Sequence, residues 1–192
     1  GYRATCAHAE PWLQNAMDLS LVLLRRREAV VGLRFDWYRD GVFTKIASCT
    51  DFEAHARPGP SETSIAGIVR HLALVEDSWF TERFAGGEAI ELFRDVDWDA
   101  DPDFEFRTAR DEPLSVSVDL YRAAIARSDA IIAAHDLDDR REDARGPLTL
   151  RWCVTHMMEE TARHLGHIDL IREMLDADAE VRFVTSGTAA NA

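Results

Sequence analysis

Cysteine is scarce: Cys6, Cys49 and Cys153 are the only three in 192 residues, and no two form a C-x-x-C pair. That spacing argues against a disulfide framework or a cysteine zinc site and fits a reducing compartment. Lysine is scarcer still, with Lys45 alone among 22 basic residues. Arginine and alanine codons are GC-rich, so this bias points to a high-GC bacterial genome. Positive charge as a whole is short, since 35 acids give a net charge of −13. A field of that sign repels phosphate backbones and anionic head groups, so neither nucleic acid nor a membrane surface is an expected partner. No apolar run approaches the roughly 20 residues that span a bilayer. Leu21 to Leu24 runs straight into Arg25, Arg26 and Arg27, with no basic segment before it of the kind a signal peptide carries. The chain therefore reads as cytoplasmic.

What is present is ordinary globular material, 46% apolar and 30% charged, in a length that fits one domain. Residues 1–17 read as a flexible leader, residues 18–176 as a single domain and residues 177–192 as a tail. From Asp18 an apolar stripe through Leu23, Val30, Phe35, Tyr38, Val42 and Ile46 predicts one long amphipathic helix, broken near Gly32. A second helix starts at Ser61 or Ser64, carries Ile65, Ile68, Leu72, Val75, Trp79, Phe80 and Phe84, and closes at Gly86-Gly87. A third runs from about Ser115 to His135 with Val116, Leu120, Ala123, Ala124, Ile131 and Ile132. Asp136 to Gly146 reads as a charged loop. The fourth helix runs from Pro147 or Thr149 to about Leu175 with Leu150, Val154, Met157, Leu165, Ile168 and Ile171. The fold class is all-α, a four-helix bundle with one long connection between the second and third helices.

That connection, residues 88–113, is unusual. Asp95, Asp97, Asp99, Asp101, Asp103 and Glu105 alternate with Trp98, Phe104 and Phe106. Four large aromatics, Phe93 included, predict an ordered crossover with its rings docked on the body rather than a solvated linker, a lid over the site being the alternative.

The fourth helix also carries His156, Glu160, His164 and His167. At about 100° per residue, Glu160 lies about 40°, His164 about 80° and His167 about 20° round from His156. All four share one narrow wedge over three turns, which is costly to bury without partners. Imidazole and carboxylate are good ligands for zinc and its neighbours, and residues at i and i+4 can reach one ion. An open site needs a further ligand from another helix, and His71, set among Ile68, Val69, Leu72 and Val75, is the candidate. The plainer alternative is a solvated helix face, with His71 a core imidazole satisfied by a carbonyl. His156 and His167 read as groups behind a ligand or facing a substrate, because a ligating imidazole passes its other N–H to a partner. His8, His55 and His135 fall at ends or in loops and read as solvated.

Ser64–Trp79 (SIAGIVRHLALVEDSW), Leu120–Ala134 (LYRAAIARSDAIIAA) and Leu148–Glu173 (LTLRWCVTHMMEETARHLGHIDLIRE) resemble the DinB/YfiT-like superfamily. More narrowly they resemble its actinobacterial branch of mycothiol-dependent S-transferases, over roughly residues 30 to 176. The resemblance implies a bundle with a long second crossover. It also implies a metal triad of one histidine from helix two and an H-x-x-x-H pair from helix four, falling here on His71, Glu160 and His164. Glutamate thus stands where the commonest pattern has histidine, as in the mycothiol-dependent isomerases of the superfamily. The implied cofactor is a divalent metal, zinc first, with nickel or iron accepting the same ligands. Homodimers built on helix faces are also common among such proteins.

Three function classes follow. The first is a metal-dependent S-transferase in which a low-molecular-weight thiol, ionised on the metal, attacks an electrophilic small molecule, with His167 or His156 orienting a ligand or moving a proton. The second is a thiol-dependent isomerase of the maleylpyruvate type. The third is a non-catalytic metal-binding bundle induced by stress or damage. Arg70, Arg151 and Arg163 flank the triad in sequence, although helical geometry turns immediate neighbours away from the ligand face. Cys153 reads as a core residue, not a nucleophile.

Overall fold

Local capping and breaking signals set most of the helix boundaries in the computed structural model, which describes residue 32 and residues 34–188, with side chains through Asp176. The leader and the start of the predicted first helix lie outside the described residues. Helix α1 covers residues 34–46 and buries Phe35, Arg39, Val42 and Ile46, one stripe at spacings of three and four. A capping box on Thr50 and Glu53 opens the short α2, Asp51–His55. For α3, Ile65–Asp77, the cap is Ser64, whose hydroxyl accepts from Gly67 N–H at 3.1 Å.

Beyond Asp77 the helix widens into a π-helical segment, Ser78–Phe84, and closes on Gly86 at φ +68°. There the amide of Gly87 bonds Thr81 O at 2.8 Å. The crossover holds two short helices, α4 (Glu91–Arg94) and α5 (Phe104–Ala109). Phe93 is buried, and Phe104 and Phe106 pack against the same core. Trp98 meets Phe104 edge-on and stays 37% exposed.

Helix α6, Leu114–Ala134, departs from the expected stripe. Val116 and Ala123 face solvent, and the buried face is Leu114, Ser117, Tyr121, Ala124 and Ser128. Small hydroxyl residues sit there because two arginines are buried against them. Arg39 bonds Ser128 Oγ at 2.8 Å and Asp129 at 2.8 Å and pairs with the buried Glu76. Arg70, fully buried, donates to Ser117 and Thr108 and pairs with Glu112. Removing Glu112 would strand the buried charge of Arg70, and removing Glu76 would take from Arg39 its one buried carboxylate.

The predicted charged loop is instead a hairpin of β1 (Arg140–Asp143) and β2 (Gly146–Thr149), with Arg140 opposite Thr149. Asp143 pins it to the π-helical segment by accepting from Arg83 at 2.5 and 3.3 Å, and Gly146, at φ +113°, makes the turn. Helix α7 runs Leu150–Thr188, past the end expected near Leu175.

Two buried clusters result. One joins Val42, Ile68, Leu72, Tyr121 and Ile168; the other joins Phe35, Phe80, Phe84, Leu150, Cys153 and Met157. Helices α3 and α7 run antiparallel, since His71 meets His164 while Trp79 meets Trp152 and His156. No helix among the described residues is long and apolar enough to cross a membrane.

Candidate metal centre

His71 comes from the middle of α3, and Glu160 and His164 come from one face of α7. One ligand atom of each lies within 4.8 Å of the others. All three side chains are half-buried, deep enough to exclude bulk water on one side and open enough to be reached. The rings of His71 and His164 meet edge-on with centroids 4.8 Å apart. Glu160 Oε2 lies 3.4 Å from His164 Nε2, so both groups point at one spot.

The set fits a divalent cation by its chemistry. Burial foremost, with the neighbouring His71, pushes His164 down to about 4 despite the opposing pull of Glu160. A neutral ring keeps a lone pair to offer at neutral pH. His71 is oriented from behind by Glu105 of α5, whose Oε1 lies 2.8 Å from His71 Nδ1. That leaves Nε2 of His71 free to face the other two ligands. Glu105 is almost fully buried, and its second oxygen, Oε2, has no hydrogen-bond partner. Phe106 stacks on His71 at 5.3 Å. The crossover therefore walls the site as well as docking its rings on the core.

The remaining predicted residues are split up. His167 is exposed, its Nδ1 3.4 Å from His164 Nδ1, and with His164, Ile68, Phe106 and Met174 it lines an apolar cavity of about 370 Å³. His156 stands apart from the three ligands. It stacks on Trp152 at 4.8 Å and 11° and meets Trp79 edge-on at 4.7 Å.

None of the three flanking arginines reaches into the site as a free cation. Arg70 is in the core, Arg151 bonds Asp138 at 2.9 Å, and Arg163 holds Glu160 Oε1 at 2.7 Å. His55 and His135 are half-buried and partnered, the first by Glu112 O and the second by Asp139. His8 lies outside the described residues. Cys153 is buried, and desolvation lifts its thiol to about 11, which leaves no thiolate at neutral pH.

Glu105 is the site residue that sequence reasoning missed. It sat among six acids in one segment, and the only signal for it was a need: a ligating His71 requires a partner for its second nitrogen.

None of the curated proteins matches the chain. A family model, that of the mycothiol-S-transferases, matches residues 30–177 and so takes in both helices of the triad and the crossover behind it. The chain belongs to the mycothiol-S-transferase family, a DinB-like family.

Proposed function

We propose that the protein is a metal-dependent thiol S-transferase that uses mycothiol or a similar low-molecular-weight thiol. Its long helices α1, α3, α6 and α7 would form a four-helix bundle of the DinB type. The observation that carries the reading is the convergence of His71, Glu160 and His164, with Glu105 behind His71, beside a cavity that could admit a substrate.

His71, Glu160 and His164 would hold the ion, zinc in the first instance, and leave a position for the substrate thiol. A bound divalent ion supplies the Lewis acidity that keeps such a thiol ionised at neutral pH. Glu105 fixes the ring of His71. Arg163, by holding one oxygen of Glu160, leaves the other turned toward His164. His167, on the cavity side, takes the thiol proton on its outer nitrogen and passes it to solvent. Sulfur then bonds to the electrophilic carbon, and the leaving group departs with its electron pair. Ile68, Phe106 and Met174 line the cavity beside this centre and exclude water. His156, between two indoles, positions a ligand and does not transfer the proton.

Elemental analysis of untagged protein tests the reading. About one divalent ion per chain is expected in the wild type, and loss of it in Glu160→Ala and His164→Ala with the helical signal retained. Mycothiol-dependent turnover of a model electrophile is then expected of the loaded wild type alone. A wild type that takes up no metal on reconstitution, or a loaded one with no thiol-dependent turnover, would sink the proposal.

A further inference from the structure

The ring contacts that join α3 and its π-helical extension to α7 continue past the triad. His156 lies one turn before Glu160 and contacts both Trp79 and Trp152. Trp152 lies eight residues before Glu160, about 12 Å along the helix axis. Past these rings opens a cavity of about 650 Å³ lined by Trp79, Arg83, Arg140, Arg145, Thr149 and Trp152, among others.

Three guanidinium groups on one cavity are unexpected in a chain of net charge −13, and no acid is among its lining residues. Asp143 is engaged by Arg83 and by the amide of Arg145, and Asp138 by Arg151. Arg140 lies close enough to Asp138, and Arg145 to Asp143, to favour their charged forms, but neither makes a direct ion pair among the described residues. Thr149 caps α7 at the same place by accepting from the amide of Trp152 at 3.2 Å, and the amides of Leu150 and Arg151 are held by Asp139 O and Leu137 O, so the charge facing the cavity is that of the side chains. Trp152 is 47% exposed, a large π-surface left open beside those charges. Guanidinium groups favour carboxylates and phosphates, and an exposed indole favours a flat ring.

We propose that this cavity binds the planar, anionic end of an elongated electrophilic co-substrate, an aryl carboxylate or aryl phosphate, whose reacting carbon lies at the triad about 12 Å away. The inference rests on the thiol-transfer reading. It assigns the anion to the electrophile because mycothiol, apart from its thiol, is a neutral glycoside with nothing for the arginines to neutralise. In the step tested, the thiol sulfur bonds to the methylene carbon of a chloroacetamide, chloride leaves with its bonding pair, and the thiol proton goes to buffer.

Calorimetric titration of metal-free full-length protein with phenyl phosphate reads the cavity without metal or thiol. We expect saturable binding, no comparable binding of benzyl alcohol, and at least tenfold weaker binding in the Arg140→Ala/Arg145→Ala variant, whose two changes lie on an exposed hairpin. With loaded enzyme and mycothiol, the same variant should raise KM for 4'-(chloroacetamido)biphenyl-4-carboxylate, which is long enough to span both places, at least tenfold. Its kcat should hold, and neutral 4-(chloroacetamido)biphenyl should be consumed as by the wild type. Phenyl phosphate binding that is absent, equal in the variant or matched by benzyl alcohol would overturn the site. Intact phenyl phosphate binding with equal loss of both chloroacetamides would overturn its assignment to the co-substrate. Thiol transfer that fails in the wild type, with phenyl phosphate bound as expected, would overturn the thiol-transfer reading and leave the anion site standing.

Discussion

A methyl group on Gly67 would lie 2.6 Å from Phe106 Cδ1 and 3.3 Å from Phe106 Cα, so α5 docks on α3 only because residue 67 has no side chain. Gly67 sits one turn before His71, and Phe106 follows Glu105. The same close approach therefore sets the carboxylate behind His71.

Gly67→Ala should displace α5 outward. Overpacking of this kind costs about 1–3 kcal/mol, here set against a gain in helix propensity of about 1 kcal/mol. The site should suffer more than the fold, because Glu105 moves with Phe106. Weaker metal binding at nearly unchanged denaturant midpoint is the expected pair of results.

Glu105→Gln separates charge from shape. The amide can still accept from His71 Nδ1–H but carries no charge, and losses at such positions run to roughly 10–100-fold in metal affinity. A competition titration against a chromophoric chelator would show it. Equal affinity in wild type and variant would mean that the 2.8 Å contact does nothing for the site.

Acid should destabilise the metal-free protein through His164. Folding moves this histidine from its usual 6.5 down to about 4, chiefly by burial. Between those values the unfolded chain binds the extra proton and the folded chain does not, so stability falls as pH drops from about 6.5 toward about 4. Above that window the term is absent. Melting curves of chelator-treated wild type and His164→Gln across this range should diverge, the variant being flatter.

Cys153 contributes packing and no chemistry. Its buried thiol lies among Phe80, Phe84, Leu150 and Met157, so Cys153→Ala should lower stability by about 1 kcal/mol from the lost sulfur contact. Thiol transfer should survive at the wild-type rate, since the attacking sulfur belongs to the substrate. Rapid labelling of Cys153 in the native protein would contradict the burial.

What the sequence disclosed was local. The Ser64 cap, the Gly86 closure and the i, i+4 pairing of Glu160 with His164 are each decided within a few residues by backbone geometry. What it concealed was long-range. Glu105 meets His71 across 34 residues, and nothing near Glu105 distinguishes it from the five aspartates before it. Arg39 and Arg70 are buried, which nothing in the helical period announces, since arginine is rarely buried. Their burial depends on Glu76, Glu112, Ser117 and Ser128, which the helical period alone cannot bring together. The buried face of α6 was misread for the same reason: serines filled it where apolar residues were expected.

The change from α- to π-helix at Ser78 holds Trp79 and Arg83 in a turn that accommodates one residue more than the helix before it. Arg83 lies with its guanidinium 3.9 Å from the centre of the Trp79 ring, and both line the arginine cavity. Deleting a single residue between Trp79 and Arg83 would close the wider turn to an α-helical one and break the spacing that sets Arg83 over Trp79. Arg83 would swing away from Asp143, and the hairpin would lose its anchor. In evolutionary terms the segment is an inserted letter that cannot be taken back, so length variation among relatives should fall elsewhere, in the turn at Asp143–Gly146 or in the crossover before Phe104.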